Sequence, residues 1–166
     1  ALAHRAELHE AKLAIEKALK VVENHPNSSY YDDAVYVLGV SYFYTEQHAK
    51  AERRFREILA NYGDSKFARD SRLYLAKSML EQNDIDDAMA IFEELFTSDV
   101  SREFKSEAAM ALGNYHFENE DFATAEQYYL AIRDSLGTGQ EKRRAQRQIA
   151  DGLFQQYRWT DALDAY

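Results

Sequence analysis

Five histidines and several carboxylate clusters are the residues of this chain best suited to chemistry. The imidazoles are His4, His9, His25, His48 and His116. His9-Glu10 begins like the H-E-x-x-H of a helical zinc site, but Leu13 stands where the second histidine is needed. No two histidines lie at i, i+4, the spacing that turns a pair of imidazoles toward one metal. The chain has no cysteine, hence no thiolate ligand, thiol nucleophile or disulfide. Asn83 to Asp87, "NDIDD", crowds three carboxylates together but lacks the central glycine and terminal glutamate of a calcium loop; it reads as a helix start. Glu118, Glu120 and Asp121 in "FENED" read as a solvated turn, since paired acids for hydrolysis need a cleft to work in. The serines form no nucleophile elbow, and no glycine-rich loop could cradle phosphate. "LGTGQ" reads as a connector. No catalytic residue, metal or cofactor is expected.

Bulk properties narrow the partner class. The chain has 166 residues, enough for a sizeable core, and a formal net charge of -9. A nucleic-acid backbone or an anionic membrane selects a basic face, so neither is expected as the main partner. No apolar run is long enough to cross a bilayer. One proline, Pro26, and six glycines are too few for a many-turned β-sandwich. No signal peptide is visible.

The elements that must position these residues follow from a repeated pattern. "LGVSYFYTEQHAKAERRF" runs from Leu38 to Phe55, and "LGNYHFENEDFATAEQYY" from Leu112 to Tyr129. Steps of 37 residues lead from Leu38-Gly39 to Leu75-Ala76, Leu112-Gly113 and Ile149-Ala150. The same step gives an alanine column, Ala14, Ala51, Ala88, Ala125 and Ala162. It gives an aromatic column, Phe55, Phe92, Tyr129 and Tyr166, and an apolar one, Val21, Ile58, Leu95 and Ile132. A fixed period of this size marks a repeat array.

Apolar residues recur at three and four, as at Val35, Leu38 and Tyr42 or Leu75 and Met79, which predicts helices. Each unit holds two. The first covers 32–44, 69–81, 106–118 and 143–156; the second covers 47–60, 84–96, 121–135 and 159 onward. Asp84 and Asp121 stand at N-cap positions, with Asp86 and Asp87 near the positive end of the helix dipole. The expected fold class is all-α: a right-handed solenoid of antiparallel helix pairs with a 37-residue period. It forms one domain over 1–166, divided into a partial repeat 1–28, repeats 29–65, 66–102 and 103–139, and a partial repeat 140–166. Gly39, Ala76, Gly113 and Ala150 on the first helices and the alanine column on the second let the helices of a pair approach. The aromatic column fills the space between one pair and the next. Ala1 to Glu7 reads as the tail of a first helix, and Tyr166 falls inside a second, so the chain is expected to continue both ways.

"LGVSYFYTEQHAKAERRFREIL", through Leu38, Gly39, Tyr42, Ala51 and Phe55, resembles the tetratricopeptide repeat. "ALGNYHFENEDFATAEQYYLAI" resembles it at Leu112, Gly113, Ala125 and Tyr129, with His116 where a tyrosine is usual. The resemblance covers nearly the whole chain and says more about fold than task. The period exceeds the family's usual 34, and the extra residues fall between pairs. The first such loop, "NHPNSSYYDDA", is similar to the longer repeats of bacterial envelope proteins of the outer-membrane assembly lipoprotein and Tol-Pal division coordinator type. That likeness tilts the expected location toward the periplasm or cell envelope over the cytoplasm.

The resemblance implies a concave groove lined by the first helices. Its lining would be Tyr36, Val40 and Phe43; Leu73, Lys77 and Leu80; Met110, Asn114 and Phe117; and Arg147, Asp151 and Phe154. The last member of each set is apolar, which suits an apolar or aromatic peptide; the same residues also suit packing between repeats. Asp33, Asp70 and Glu107 form an acidic column, and Lys142, Arg143, Arg144 and Arg147 a basic cluster at one end. Chaperone-binding members of the family clamp a terminal carboxylate with lysine and asparagine, where this chain has Tyr36 and Val40. The implied function is a non-catalytic scaffold binding a protein or peptide. The alternatives are a regulatory or substrate-recruiting arm of a larger enzyme and a module that self-associates through its cut ends into a homo-oligomer.

Overall fold

The computed structural model describes residues 2–165, with side chains from Glu7 onward. Ala1, the His4 side chain and Tyr166, the last member of the aromatic column, lie outside the described residues. Among the described residues there are helices and connecting turns and no strand. The chain divides into two compact units, Ala1–Ala88 and Met89–Tyr166.

In the first unit α1 (Leu2–Asn24) packs on α2 (Tyr31–Tyr44), α2 on α3 (His48–Asn61), and α3 on α4 (Ala68–Glu81). The boundary between units falls inside α5 (Ile85–Thr97). In the second unit α6 (Arg102–Glu118) packs on α7 (Phe122–Ala131), α7 on α8 (Gly139–Gln155), and α8 on α9 (Trp159–Ala165). Helix α1 is continuous, without the break expected after Glu7. The stretch "ELHEAKL" holds no glycine, proline or cap residue that could end a helix there.

Burial explains the difference between the two kinds of helix. On α2 the buried residues are Ala34, Val35, Leu38, Gly39, Ser41 and Tyr42, a broad stripe flanked by α1 and α3. On α3 they are only Ala51, Phe55 and Ile58, at spacings of four and three. The alanine column is buried at Ala51, Ala88, Ala125 and Ala162, and the aromatic column at Phe55, Phe92 and Tyr129. Ala14 and Val21 on α1 are half-buried.

The glycines do something other than admit the facing alanine. A Cβ on Gly39 would meet the Phe55 ring at 2.6 Å, and a Cβ on Gly113 would meet the Tyr129 ring at 2.6 Å. The small residue of the first helix makes room for the aromatic of its own pair. Phe55 also reaches the next helix, stacking on Tyr74 with centroids 5.6 Å apart.

The corners within pairs share one geometry. After α2, the Glu46 N–H donates to Phe43 O (3.0 Å) and the Gln47 N–H to Tyr42 O (2.9 Å). The same two bonds follow α4, α6 and α8. This is the Schellman closure, which needs a left-handed residue, usually glycine. Here it is Glu46, Asn83, Glu120 and Tyr157, all at φ between 60° and 64° and 37 residues apart.

Two helices start a turn earlier than expected, at Arg102 and Gly139. The second start is set by Glu141, whose Oε2 accepts the Thr138 N–H (2.7 Å) and hydroxyl (2.6 Å). The expected helix over 121–135 is α only as far as Ala131. Ile132–Leu136 winds as a π-helical turn, closed by the Gly137 N–H on Ile132 O at 2.9 Å. A Cβ on Gly137 would lie 2.7 Å from Ile132 Cγ2, so glycine permits that closure.

Candidate functional site

The residues expected to line a groove are tied down to very different degrees. In the first unit Tyr36 stacks on Phe67, with centroids 4.3 Å apart and planes 13° from parallel. Its hydroxyl donates to Asp70 Oδ2 at 3.4 Å. Burial first, and the Asp70 carboxylate second, push its pKa up to about 12. Leu73 is 4% exposed and belongs to the core, so it cannot meet a partner. The Lys77 ammonium lies 5.4 Å from the centre of the Tyr74 ring. Val40 faces a depression of about 530 Å³ whose apolar wall includes Leu8, Ala11, Ala14 and Tyr44. Leu80 is half-buried.

The column ending in an aromatic has a packing role. Phe43 meets His48 edge to face at 5.4 Å, Phe117 meets Phe122 at 5.2 Å, and Phe154 meets Trp159 at 4.6 Å. Each joins the end of one helix to the first residue of the next, across the corner just described. Phe43 also touches Tyr74, and Phe117 lies where a Cβ on Gly152 would come within 3.5 Å. Phe154 alone of these aromatics is mostly open, at 51% exposure, beside the exposed Tyr157 and Trp159.

In the second unit Met110 packs against the core. Asn114 Oδ1 accepts the Tyr129 hydroxyl at 3.0 Å and the Gln148 Nε2–H at 3.4 Å. Arg147 is exposed and shares a depression of about 480 Å³ with Gln140, Arg143, Arg144 and Gln148. Asp151 is half-buried. Gln140 and Gln148 were not singled out from sequence. Their spacing from Arg144, four residues to either side, was the available signal.

The other candidates for chemistry resolve into structure. Asp121 caps α7, its Oδ1 accepting the Thr124 N–H at 3.3 Å, and its Oδ2 lies 3.1 Å from His116 Nδ1. The bonds to Thr124, more than the one to His116, hold the Asp121 carboxyl below the usual aspartate range. His116 stacks on Tyr128, whose hydroxyl donates to Glu93. Burial and then Glu93 push the Tyr128 pKa up to about 12. Asp86 and Asp87 lie in the first turn of α5. The acidic column is engaged within the first unit: Asp33 pairs with Lys66 at 3.1 Å, and Asp70 holds Tyr36. Among the described residues no group of three His, Asp or Glu side chains is arranged to hold a metal. Among the described residues no helix is long and apolar enough to cross a membrane.

A family model described as a tetratricopeptide repeat-like domain matches residues 27–134. No curated protein and no solved structure matches the chain.

Proposed function

The chain belongs to the tetratricopeptide repeat-like family, and from that premise we propose that it is a non-catalytic scaffold holding a protein or peptide on the exposed faces of its first helices. One observation carries the reading. Helix α8 commits Ala145, Ile149, Ala150, Gly152 and Leu153 to the core while leaving Arg143, Arg144, Arg147 and Phe154 exposed. A face with three cations and an aromatic ring is composed like a protein interface.

The repeat boundaries proposed are 29–65, 66–102 and 103–139, with partial units at 1–28 and 140–166. The corner residues Glu46, Asn83, Glu120 and Tyr157 support a 37-residue period. The loop "NHPNSSYYDDA" supports an envelope-type member acting in the periplasm or cell envelope.

The test is affinity capture from an extract of the source organism. Wild type is compared with Val40→Glu, Phe154→Glu, a variant that spares the packed rings of Phe43 and Phe117 and is checked for helicity by circular dichroism. A partner retained by wild type and lost by the variant supports the reading. Failure of wild type to retain any protein refutes it.

A further inference from the structure

The first unit carries another depression, of about 540 Å³, at the end of α2 opposite its corner. That volume lies within the range of about 300–1,000 Å³ usual for small-ligand sites. Two loops wall it, 26–29 before α2 and 61–65 at the end of α3.

The two walls repeat one turn, 37 residues apart. The Ser28 N–H donates to His25 O (3.0 Å), and the Ser65 N–H to Tyr62 O (2.9 Å). Ser28 Oγ accepts the Tyr30 N–H (3.2 Å), and Ser65 Oγ the Phe67 N–H (3.3 Å). The Ser65 hydroxyl donates to Asp32 Oδ2 at 2.6 Å, which ties the second loop to the first turn of α2. These bonds form the site before any ligand arrives, which lowers the cost of binding one.

The lining selects a ligand class. Its polar groups are short: the Asn27 and Asn61 amides, the serine hydroxyls, and the Asp32 and Asp64 carboxylates. Amides and hydroxyls offer donors and acceptors together, while carboxylates only accept. The bond from Ser65 holds the Asp32 carboxyl below the usual aspartate range, so it accepts at neutral pH. None of the described residues lining the depression is basic, so a phosphate or carboxylate ligand would meet no counter-charge. Lys66, beside the second loop, is drawn away to Asp33 at 3.1 Å. The largest apolar surfaces are the rings of Tyr31 and Tyr62, with centroids 5.8 Å apart. The Tyr31 hydroxyl is engaged by Glu57 Oε1 at 3.1 Å, which leaves its ring as its contribution here. A metal ion or amine would use the two carboxylates and leave the rings idle. A ligand ringed by hydroxyls, with C–H groups on its faces, uses the whole lining.

We infer that this depression binds a neutral saccharide, whose hydroxyls bond to Asn27, Asn61, Asp32 and Asp64 and whose C–H face lies on a tyrosine ring, with Ser65 as the positioning residue for Asp32.

The test is a nitrogen-15 NMR titration of the whole chain with maltose, cellobiose, lactose and chitobiose, each to ~50 mM. Calcium chloride is the control for a cation site. The expected result is saturable movement of the backbone signals of 26–32 and 61–65 with at least one sugar, unaltered by about half-molar sodium chloride. Asn61→Ala, Asp64→Ala changes two exposed loop residues and should weaken that sugar by about tenfold. Ser65→Ala should weaken it severalfold, and Ser65→Thr, which keeps the hydroxyl, should restore it. The methyl glycoside of the bound sugar identifies the source: equal binding supports a unit within a longer glycan, and lost binding supports a free reducing sugar. No saturable movement with any of the four sugars would overturn the inference. So would movement by calcium alone, or unchanged affinity in the double variant. The capture experiment reads a protein held on the first helices, so its outcome and this one are independent.

Discussion

The ring of Phe55 lies over Gly39, so close that a Cβ there would sit 2.6 Å from ring carbon Cε1. Phe55 is wholly buried and stacked on Tyr74, so it has no free space to retreat into. Gly39→Ala is expected to destabilise the fold by about 1–3 kcal/mol, the usual range for overpacking. A denaturant melt measures this. The loss should shrink in a Phe55→Leu background, and strict additivity of the two changes would refute the contact as its cause.

The left-handed corners give a prediction of opposite sign. An L-residue at φ near 60° is strained by about 1–2 kcal/mol relative to glycine, less for asparagine. Glu120→Gly should therefore stabilise the protein by about 1 kcal/mol after the added freedom of the unfolded chain is subtracted. Asn83→Gly should give less. Thermal midpoints for both variants check the ranking.

Ser71 is wholly buried, and its Oγ finds no hydrogen-bond partner among the described residues. The equivalent positions, 37 residues apart, are Ala34, Ala108 and Ala145, all buried. Ser71→Ala removes an unsatisfied hydroxyl without opening a large void. It should raise stability by about 1 kcal/mol. A destabilised variant would mean that the hydroxyl is bonded.

Glu141 sets an acid limit. Its carboxylate accepts from the Thr138 hydroxyl and N–H and from the Ser106 hydroxyl at 3.0 Å. Those bonds, Thr138 first, hold its pKa below the usual glutamate value. A depressed folded value means a contribution fully present above the unfolded pKa of about 4.3 and lost as pH falls through the folded one. Between about pH 5 and 3, stability should fall less steeply in Glu141→Gln than in wild type. Parallel curves would count against the cap.

Tyr36, Tyr128 and Tyr129 set an alkaline limit. Burial raises each to about 12. A phenol whose folded pKa is raised contributes stability that is complete below about pH 10 and is lost as pH climbs toward the folded value. Absorbance titration of the twelve tyrosines should show a late-ionising group. Unfolding should accompany its ionisation.

Much of this architecture was legible in the sequence because it rests on spacing. Ala51, Ala88, Ala125 and Ala162 recur at one interval, and each is buried. What spacing could not convey was which small residue faces which large one. Gly39 and Ala51 both read as points of close approach, yet the atom nearest Gly39 belongs to Phe55. The corners were legible as turns but not as left-handed closures, since glutamate and tyrosine carry no signal for positive φ. The candidate site was the least legible part. Leu73 lay in the core, and Phe43 and Phe117 had internal partners. The Asn114 arrangement depends on Tyr129 and Gln148, 15 and 34 residues away in the chain. A hydrogen-bond partner at that distance leaves no local pattern to read.

The π-helical turn at Ile132–Leu136 has a bearing on how chains of this kind tolerate changes in length. A loop closed by an i to i+5 bond contains one residue more than an α-turn spanning the same rise. The turn lies between two anchors, Ile132 in the core and the Thr138–Glu141 cap. Loss of one residue from this turn is therefore expected to be taken up locally, by reversion to an α-turn, with the registers of the helices on either side kept.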